Sequence, residues 1–210
     1  MISVVCLKTG NKYPDEYVTK LRSMVKRNLS LLEHRFICFT DSPVAGVECH
    51  KPLTNLPGWW GKLMFFHPEL ENYTGSDRVL YFDLDMTIVR DISELALFPA
   101  GFSIIKQWKN LKSKNVVIRY NSSCFLLDRA GARKEVWEAF SPQVICKFRG
   151  DQDWIGYVLP LEETFPSEWF EACENVSKEN GPKENTKVII NNVIDNHKIR
   201  NIWWMKRHWR

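Results

Sequence analysis

Three short apolar runs constrain the fold of this chain more than any other feature. They are "ISVVCL" at 2–7, "RFICFTD" at 35–41 and "RVLYF" at 78–82, and each reads as a β-strand. Between the first two lies "PDEYVTKLRSMVKRNL" at 14–29. There Tyr17, Leu21, Met24, Val25 and Leu29 fall on one face at helical spacing, with Pro14 at the start. Strand–helix–strand order predicts an α/β fold: a largely parallel sheet with helices on both faces. Ligands of such sheets bind beyond the carboxyl ends of the strands.

The pattern continues downstream. "GWWGKLMFFHPEL" (58–70) and "GARKEVWEAFS" (131–141) read as helices, the latter with Val136, Trp137 and Phe140 apolar. "FSII" (102–105), "SSCFLLD" (122–128) and "KVIIN" (187–191) read as strands, and the polar "ENVSKENGPKENT" (174–186) as a mobile loop. No internal repeat is visible. A length of 210 residues suits one domain, 1–210, large enough for a real core. With 44% hydrophobic and 26% charged residues the composition is that of an ordinary soluble globular protein. A net charge of +4 suits an anionic ligand such as a nucleotide but is too small and scattered for nucleic acid.

The six cysteines (Cys6, Cys38, Cys49, Cys124, Cys146, Cys173) form no C-x-x-C pair, and Cys6, Cys38 and Cys124 sit in apolar runs. Free thiols in a reducing compartment are expected. "MISVVCLKTG" lacks the basic start and long apolar stretch of a signal peptide, and no segment is apolar enough to span a membrane. The expectation is a cytoplasmic protein, in which the four N-x-S/T matches at Asn28, Asn72, Asn121 and Asn175 are chance.

The third strand runs straight into "DLDMT", which carries Asp83 and Asp85. Residues i and i+2 of an extended chain point to the same side, so the D-x-D aims two carboxylates at one point. Like charges that close repel unless a cation lies between them, and hard oxygen ligands suit Mn²⁺ or Mg²⁺. The bland reading is that the pair only caps a turn. Two enzyme classes use such a pair. "DLDMT" resembles the D-x-D-x-T of haloacid-dehalogenase-type phosphatases, where the first Asp attacks phosphorus. Two strands and two helices precede it here, however, and "GDQDWIG" (150–156) lacks that class's later acidic spacing.

The other class fits more of the chain. "VVCLKTGNKYPDEYVTKL", "FICFTD", "GWWGKLMFF", "VLYFDLDMTIV", "YNSSCFLLDR" and "GDQDWIG" follow one another in this chain. The series resembles the GT-A fold nucleotide-sugar glycosyltransferases of the family-8 type, the relatives of glycogenin and of bacterial galactosyltransferases. Within that family it is most similar to the single-domain members that Chlorella viruses encode, for which the compartment would be the host cytoplasm. The resemblance spans most of 1–170. It implies a GT-A, Rossmann-like mixed sheet, mostly parallel, in one domain. Residues 1–90 would be the nucleotide-binding half, and 91–210 would serve the donor sugar and the acceptor. It further implies transfer of a hexose or 6-deoxyhexose from a UDP-sugar to a glycan acceptor by a monomeric enzyme, with retention of configuration and with Mn²⁺ or Mg²⁺ as cofactor.

By the same resemblance, Leu7, Lys8, Thr9 and Tyr13 lie near the base and ribose, and Lys62 lies beside the donor. Asp83 faces ribose and metal, with Leu84 between it and the metal ligand Asp85. Asn121 matches a turn near the donor sugar, although Ser123 replaces the family's Gly. Asp151 and Gln152 match the catalytic pair beside the anomeric carbon, with Asp153 on the donor. The family's third metal ligand is a His; Asn192 stands about where it would be, and His197 lies five residues further on. Each position has a plainer reading: Tyr13 as a turn residue, Lys62 as a solvated charge, Asn121 as a strand end, Asp151 as a helix cap, His197 as a surface residue.

The adjacent pairs Trp59–Trp60 and Trp203–Trp204 cannot both face the core, so one member of each is expected at the surface or in a cleft. An exposed indole there is a platform for a sugar, or, for Trp203 and Trp209, rim packing of the basic, aromatic tail. A non-catalytic carbohydrate-binding domain also suits nine Trp, but has no need of paired metal ligands.

Overall fold

A computed structural model of the protein describes residues 1–108, 112–113, 116–128, 133–191 and 202–210. The first strands are β1 (Ile2–Lys8), β2 (His34–Thr40), β3 (Glu48–His50), β4 (Arg78–Phe82), β5 (Met86–Ile88) and β6 (Phe102–Lys106). They are followed by β7 (Lys112–Ser113), β8 (Val116–Val117), β9 (Tyr120–Asp128), β10 (Phe170–Ala172) and β11 (Val188–Ile190). The central sheet has the order β3-β2-β1-β4-β9-β6. β3, β2, β1 and β4 are mutually parallel, while β9 runs antiparallel to both β4 and β6. The fold is therefore the mixed, mostly parallel α/β domain expected.

Alternation along each strand fills two cores. Val4 and Cys6, Phe36 and Cys38, and Leu80 and Phe82 face one side with helix α1 (Asp15–Asn28). Val5, Ile37 and Phe39, and Val79 and Tyr81 face the other. α1 buries Tyr17, Val18, Leu21, Met24 and Val25, and Leu29 after it is also buried. Its acidic first turn (Asp15, Glu16) and basic last turn (Lys26, Arg27) complement the helix dipole. Cys6, Cys38 and Cys124 are fully buried, and all six cysteines are free thiols.

Two expectations need correction and one is made finer. Residues Gly58–Phe66, expected as a helix, form one of the 3₁₀ kind, and Pro68–Leu70 a further 3₁₀ turn. Three residues per turn give it three straight rows. Trp60, Leu63 and Phe66 make a buried row, and Trp59, Lys62 and Phe65 make another that begins outside and ends in the core. Gly61 lets this helix approach β1, since a Cβ there would lie 2.9 Å from Leu7 Cδ2. Second, a continuous helix at 131–141 shrinks to α4 (Glu135–Glu138), after the short α2 (Glu71–Thr74) and α3 (Ser93–Ala96), and 131–132 lie outside the described residues. α5 (Pro142–Lys147) and α6 (Asp151–Val158) follow. Third, 174–186 is fastened rather than loose. Ser177 bridges to Gly181, and the buried Glu171 accepts from Lys183 N at 3.3 Å and from Thr186 Oγ1 at 3.1 Å.

Helix α7 (Trp203–His208) packs on α1 and β5. Trp204 is fully buried, Trp209 meets Tyr17 edge-on at 5.1 Å, and Arg27 donates to the carbonyls of His208 and Arg210. Among the described residues no helix is long and apolar enough to cross a membrane.

Candidate active site

The sheet order reverses between β1 and β4: β1 leads by α1 to β2 on one flank, and β4 lies on the other. A crevice at the carboxyl ends of these two strands is where such a fold leaves room for a ligand. It holds a cavity of about 550 Å³. Leu7, Thr9 and Tyr13 reach it from the end of β1, and Tyr81, Asp83, Leu84 and Asp85 from the end of β4.

The D-x-D does not lie on extended backbone. β4 stops at Phe82, and Leu84 and Asp85 occupy a turn in which Met86 N donates to Asp83 O at 3.4 Å. The turn, anchored by the buried Leu84, brings both carboxylates to one cavity; strand alternation does not.

Asp83 is held from three sides. Lys62 Nζ lies 2.9 Å from Oδ1 and 3.0 Å from Oδ2, Tyr81 Oη donates to Oδ1 at 2.5 Å, and the Asp83 amide donates to Ser123 O at 2.8 Å. Lys62 also reaches Ser122 Oγ at 3.3 Å and Asp151 Oδ2 at 3.8 Å. Burial alone would lower the Lys62 pKa, but the carboxylates of Asp151, Asp83 and Asp85 outweigh it and hold it well above its usual value. Lys62 is thus a permanent cation. Tyr13 Oη donates to Asp85 Oδ2 at 2.8 Å, and burial, with Asp85 next, raises its phenol far above the usual range.

Asp85 and Asp151 are the strained carboxylates. Burial raises the Asp85 pKa, and the charge of Asp83 raises it further. Asp151 opens α6, with Gly150 rather than itself at the cap position, and is 3% exposed. Burial pushes it up, and Lys62 and the Ser122 hydroxyl only partly offset this.

Other expected residues lie further away. Lys8 is buried and pairs with Asp15 at 3.1 Å instead of lining the cavity. Asn121 also stays out of the cavity, and its Oδ1 accepts from Ser123 N at 2.9 Å. It sits where the β6–β9 register jumps from Ile104↔Phe125 to Ile105↔Asn121. That irregularity aims Ser122 and Ser123 at Lys62 and Asp83, a frequent use of a bulge beside a site. Gln152 and Asp153, next on α6, do not line the cavity either. Asn192 and His197 lie outside the described residues.

Sequence reasoning passed over Tyr81, Ser122 and Asn191. Asn191 lines the cavity directly after β11, and its Nδ2 donates to Asp85 O at 2.5 Å and to Thr87 Oγ1 at 3.1 Å. A carbonyl only accepts, so the amide orientation is fixed by chemistry. Oδ1 is left buried and without a partner among the described residues. No local pattern marks it, because the β5–β11 pairing that delivers it joins residues a hundred positions apart. Among the described residues no group of three or more His, Cys, Asp or Glu side chains is placed to hold a metal. Asp83 and Asp85 at one cavity, with Asp85 raised chiefly by burial and further by the charge of Asp83, and an unpartnered amide oxygen on the same cavity's lining residue Asn191, do fit a hard divalent cation.

No protein-family profile matches the chain, and no curated protein matches it by sequence. Solved structures do. The galactosyltransferase LgtC, determined with donor and acceptor sugar analogs, superposes with a TM-score of 0.64 at 14% identity, over 98% of this chain and 93% of that one. A glycosyltransferase involved in glycosylation of the major capsid of PBCV-1 gives 0.59 at 12%, over 93% and 97%. Mouse xyloside xylosyltransferase 1 gives 0.57 at 13%, over 90% and 97%. At these identities the likeness is one of architecture, and the architecture of this chain is the GT-A fold.

Proposed function

We propose that this chain is a metal-dependent glycosyltransferase that moves a hexose or 6-deoxyhexose from a UDP-sugar to a glycan acceptor, with retention of configuration. One observation carries the reading: Asp83, Asp85 and Lys62 meet in a single cavity at the reversal of strand order, and Asp151 stands 3.8 Å from Lys62. A volume of about 550 Å³ is within the range of small-molecule sites. The likeness to LgtC, whose structure holds donor and acceptor analogs, supports the same use of this crevice.

The residues divide the work by their chemistry. Asp83, Asp85 and the Asn191 amide oxygen would hold Mn²⁺ or Mg²⁺, which when bound supplies positive charge opposite the leaving diphosphate. Lys62 adds a second, fixed positive charge that needs no proton transfer. Leu7, Thr9 and Tyr13 form the wall that the nucleoside would occupy. Tyr13 keeps its proton and orients Asp85. Asp151 is buried behind Lys62, 3.8 Å from its Nζ, and does not itself line the cavity; reached by the donor sugar, its carboxylate would stabilise the oxocarbenium-like charge that develops as the glycosidic bond breaks.

The test is a thermal-shift and hydrolysis panel of nucleotide sugars with and without Mn²⁺. The expected result is stabilisation and slow hydrolysis of one or more UDP-sugars only with the ion. Indifference to every nucleotide sugar under both conditions overturns the proposal.

A further inference from the structure

Among the residues that line the cavity is a tryptophan, Trp59. Trp59 is 56% exposed, whereas its neighbour Trp60 is 4% exposed and packs on Phe140. Adjacent positions in a 3₁₀ helix point about 120° apart, while i and i+3 eclipse. Trp59 therefore stands in line with Lys62, one turn away. That turn rises about 6 Å, and both side chains line the cavity.

The indole is fixed in place. Its Nε1 donates to Arg149 O at 3.2 Å. A Cβ added at Gly150 would lie 2.8 Å from Nε1 and 3.0 Å from Cδ1 of Trp59. Gly150 has ordinary extended dihedrals, so the missing side chain serves this close approach and not an unusual backbone. The next residue is Asp151. The hydrogen bond and the close glycine together fix the orientation of the indole, which is left more than half exposed. The cavity wall that Trp59 joins mixes polar and charged groups such as Lys12, Lys62 and Asp83 with apolar ones such as Leu7, Leu84 and Ile190. A ligand suited to both has many hydroxyls and one apolar face. A pyranose has these: its axial C–H groups carry slight positive charge and meet the negative face of an indole.

We infer that Trp59 is the platform of an acceptor-sugar subsite, binding a pyranoside beside Lys62. The inference rests on the transferase reading and deepens it, because it assigns the second substrate to a particular wall of the cavity. Gly150 is a positioning residue for that platform.

The probes are the methyl pyranosides of glucose, galactose, mannose, fucose and xylose. They are titrated in the presence of UDP and Mn²⁺ and read by saturation transfer to their ring C–H protons. Wild type binds at least one of them. Trp59→Ala weakens that binding about tenfold, the scale of one aromatic stacking contact, and Trp59→Tyr, which keeps a π face, recovers most of it. Gly150→Ala drives a methyl into the indole and weakens the same glycoside without touching Trp59 itself. Calorimetric UDP affinity stays close to wild type in all three, which also shows that they fold. Wild-type glycoside binding by Trp59→Ala, no signal from any glycoside on a wild type that binds UDP, or an equal loss of UDP affinity each overturns the subsite. If the wild type binds no UDP, the transferase reading falls instead, and a Trp59-dependent glycoside signal survives it.

Discussion

Asp151 shows how a single carboxylate links stability to pH in this site. It is buried, and its pKa is raised chiefly by that burial. A raised folded-state pKa means that the native protein binds a proton more readily than the unfolded chain. The resulting stabilisation is present below the usual carboxylate range and is lost as pH rises through the raised value. Above that raised value the charged Asp151 therefore burdens the ligand-free protein. Asp151→Asn removes the burden and should raise Tm at pH 8 by about 2–4 °C, what ~1 kcal/mol does in a domain of this size. The gap should close as pH falls toward 4. The same variant should lose turnover by orders of magnitude while binding UDP normally. A Tm below wild type at pH 8 would mean that the partners of Asp151, Lys62 and Ser122, outweigh its burial. Asp85→Asn should likewise keep the fold and abolish metal-dependent hydrolysis; wild-type hydrolysis by it refutes the metal role. At this scale the sequence was informative where a motif names the residue, as at Asp83, Asp85, Lys62 and Asp151. It was silent where tertiary pairing delivers the residue, as at Asn191 and Ser122.

Among the elements, β1, α1, β2 and β4 were legible because each buries one face against one neighbour, which leaves a clean period in the sequence. β9 was legible as a strand but not as antiparallel, since direction depends on its partners β4 and β6. The 3₁₀ helix at 58–66 was legible only as helical, because "GWWGKLMFF" is apolar on nearly every side and shows no period. Helix α7 illustrates a different limit. The adjacent pair Trp203–Trp204 shows that one indole is outside, as found, but not which one, nor that Trp204 is wholly buried in the core shared with α1 and β5 with Nε1 lacking a partner among the described residues. The two properties pull apart in mutants. Trp204→Ala should cost ~3–5 kcal/mol, the usual range for emptying a large aromatic site. Trp204→Phe keeps most of the packing and removes the unsatisfied N–H, whose burial itself costs ~1–3 kcal/mol, so its loss should be well under half as large. Urea unfolding of the two variants decides; equal losses would mean that the indole N–H is satisfied in solution.

The whole molecule brings two carboxylates and the crevice proposed for the nucleotide to one place, and this coupling predicts its ligand thermodynamics. In the free protein the acidic groups are already engaged. Both oxygens of Asp83 meet Lys62, one also meets Tyr81, and Asp85 accepts from Tyr13. An ion entering alone must compete with Lys62 for Asp83, and finds few protein oxygens to complete its shell. A diphosphate changes both conditions: it adds oxygen ligands, and its negative charge gives Lys62 another partner. Mn²⁺ should therefore bind the free protein weakly and the UDP complex much more tightly. Coupling free energies are reciprocal, so UDP must gain affinity from Mn²⁺ by the same factor. In a thermal-shift experiment the rise in Tm with both ligands should exceed the sum of the separate rises. Calorimetric titration of Mn²⁺ with and without UDP gives the factor directly, on wild type, Asn191→Ala and His197→Ala. Asn191→Ala should reduce it, because the proposal makes its unpartnered amide oxygen the third protein donor to the ion. Tight Mn²⁺ binding without nucleotide, lost in His197→Ala, would defeat this account, since an imidazole would then hold the ion before any phosphate arrives.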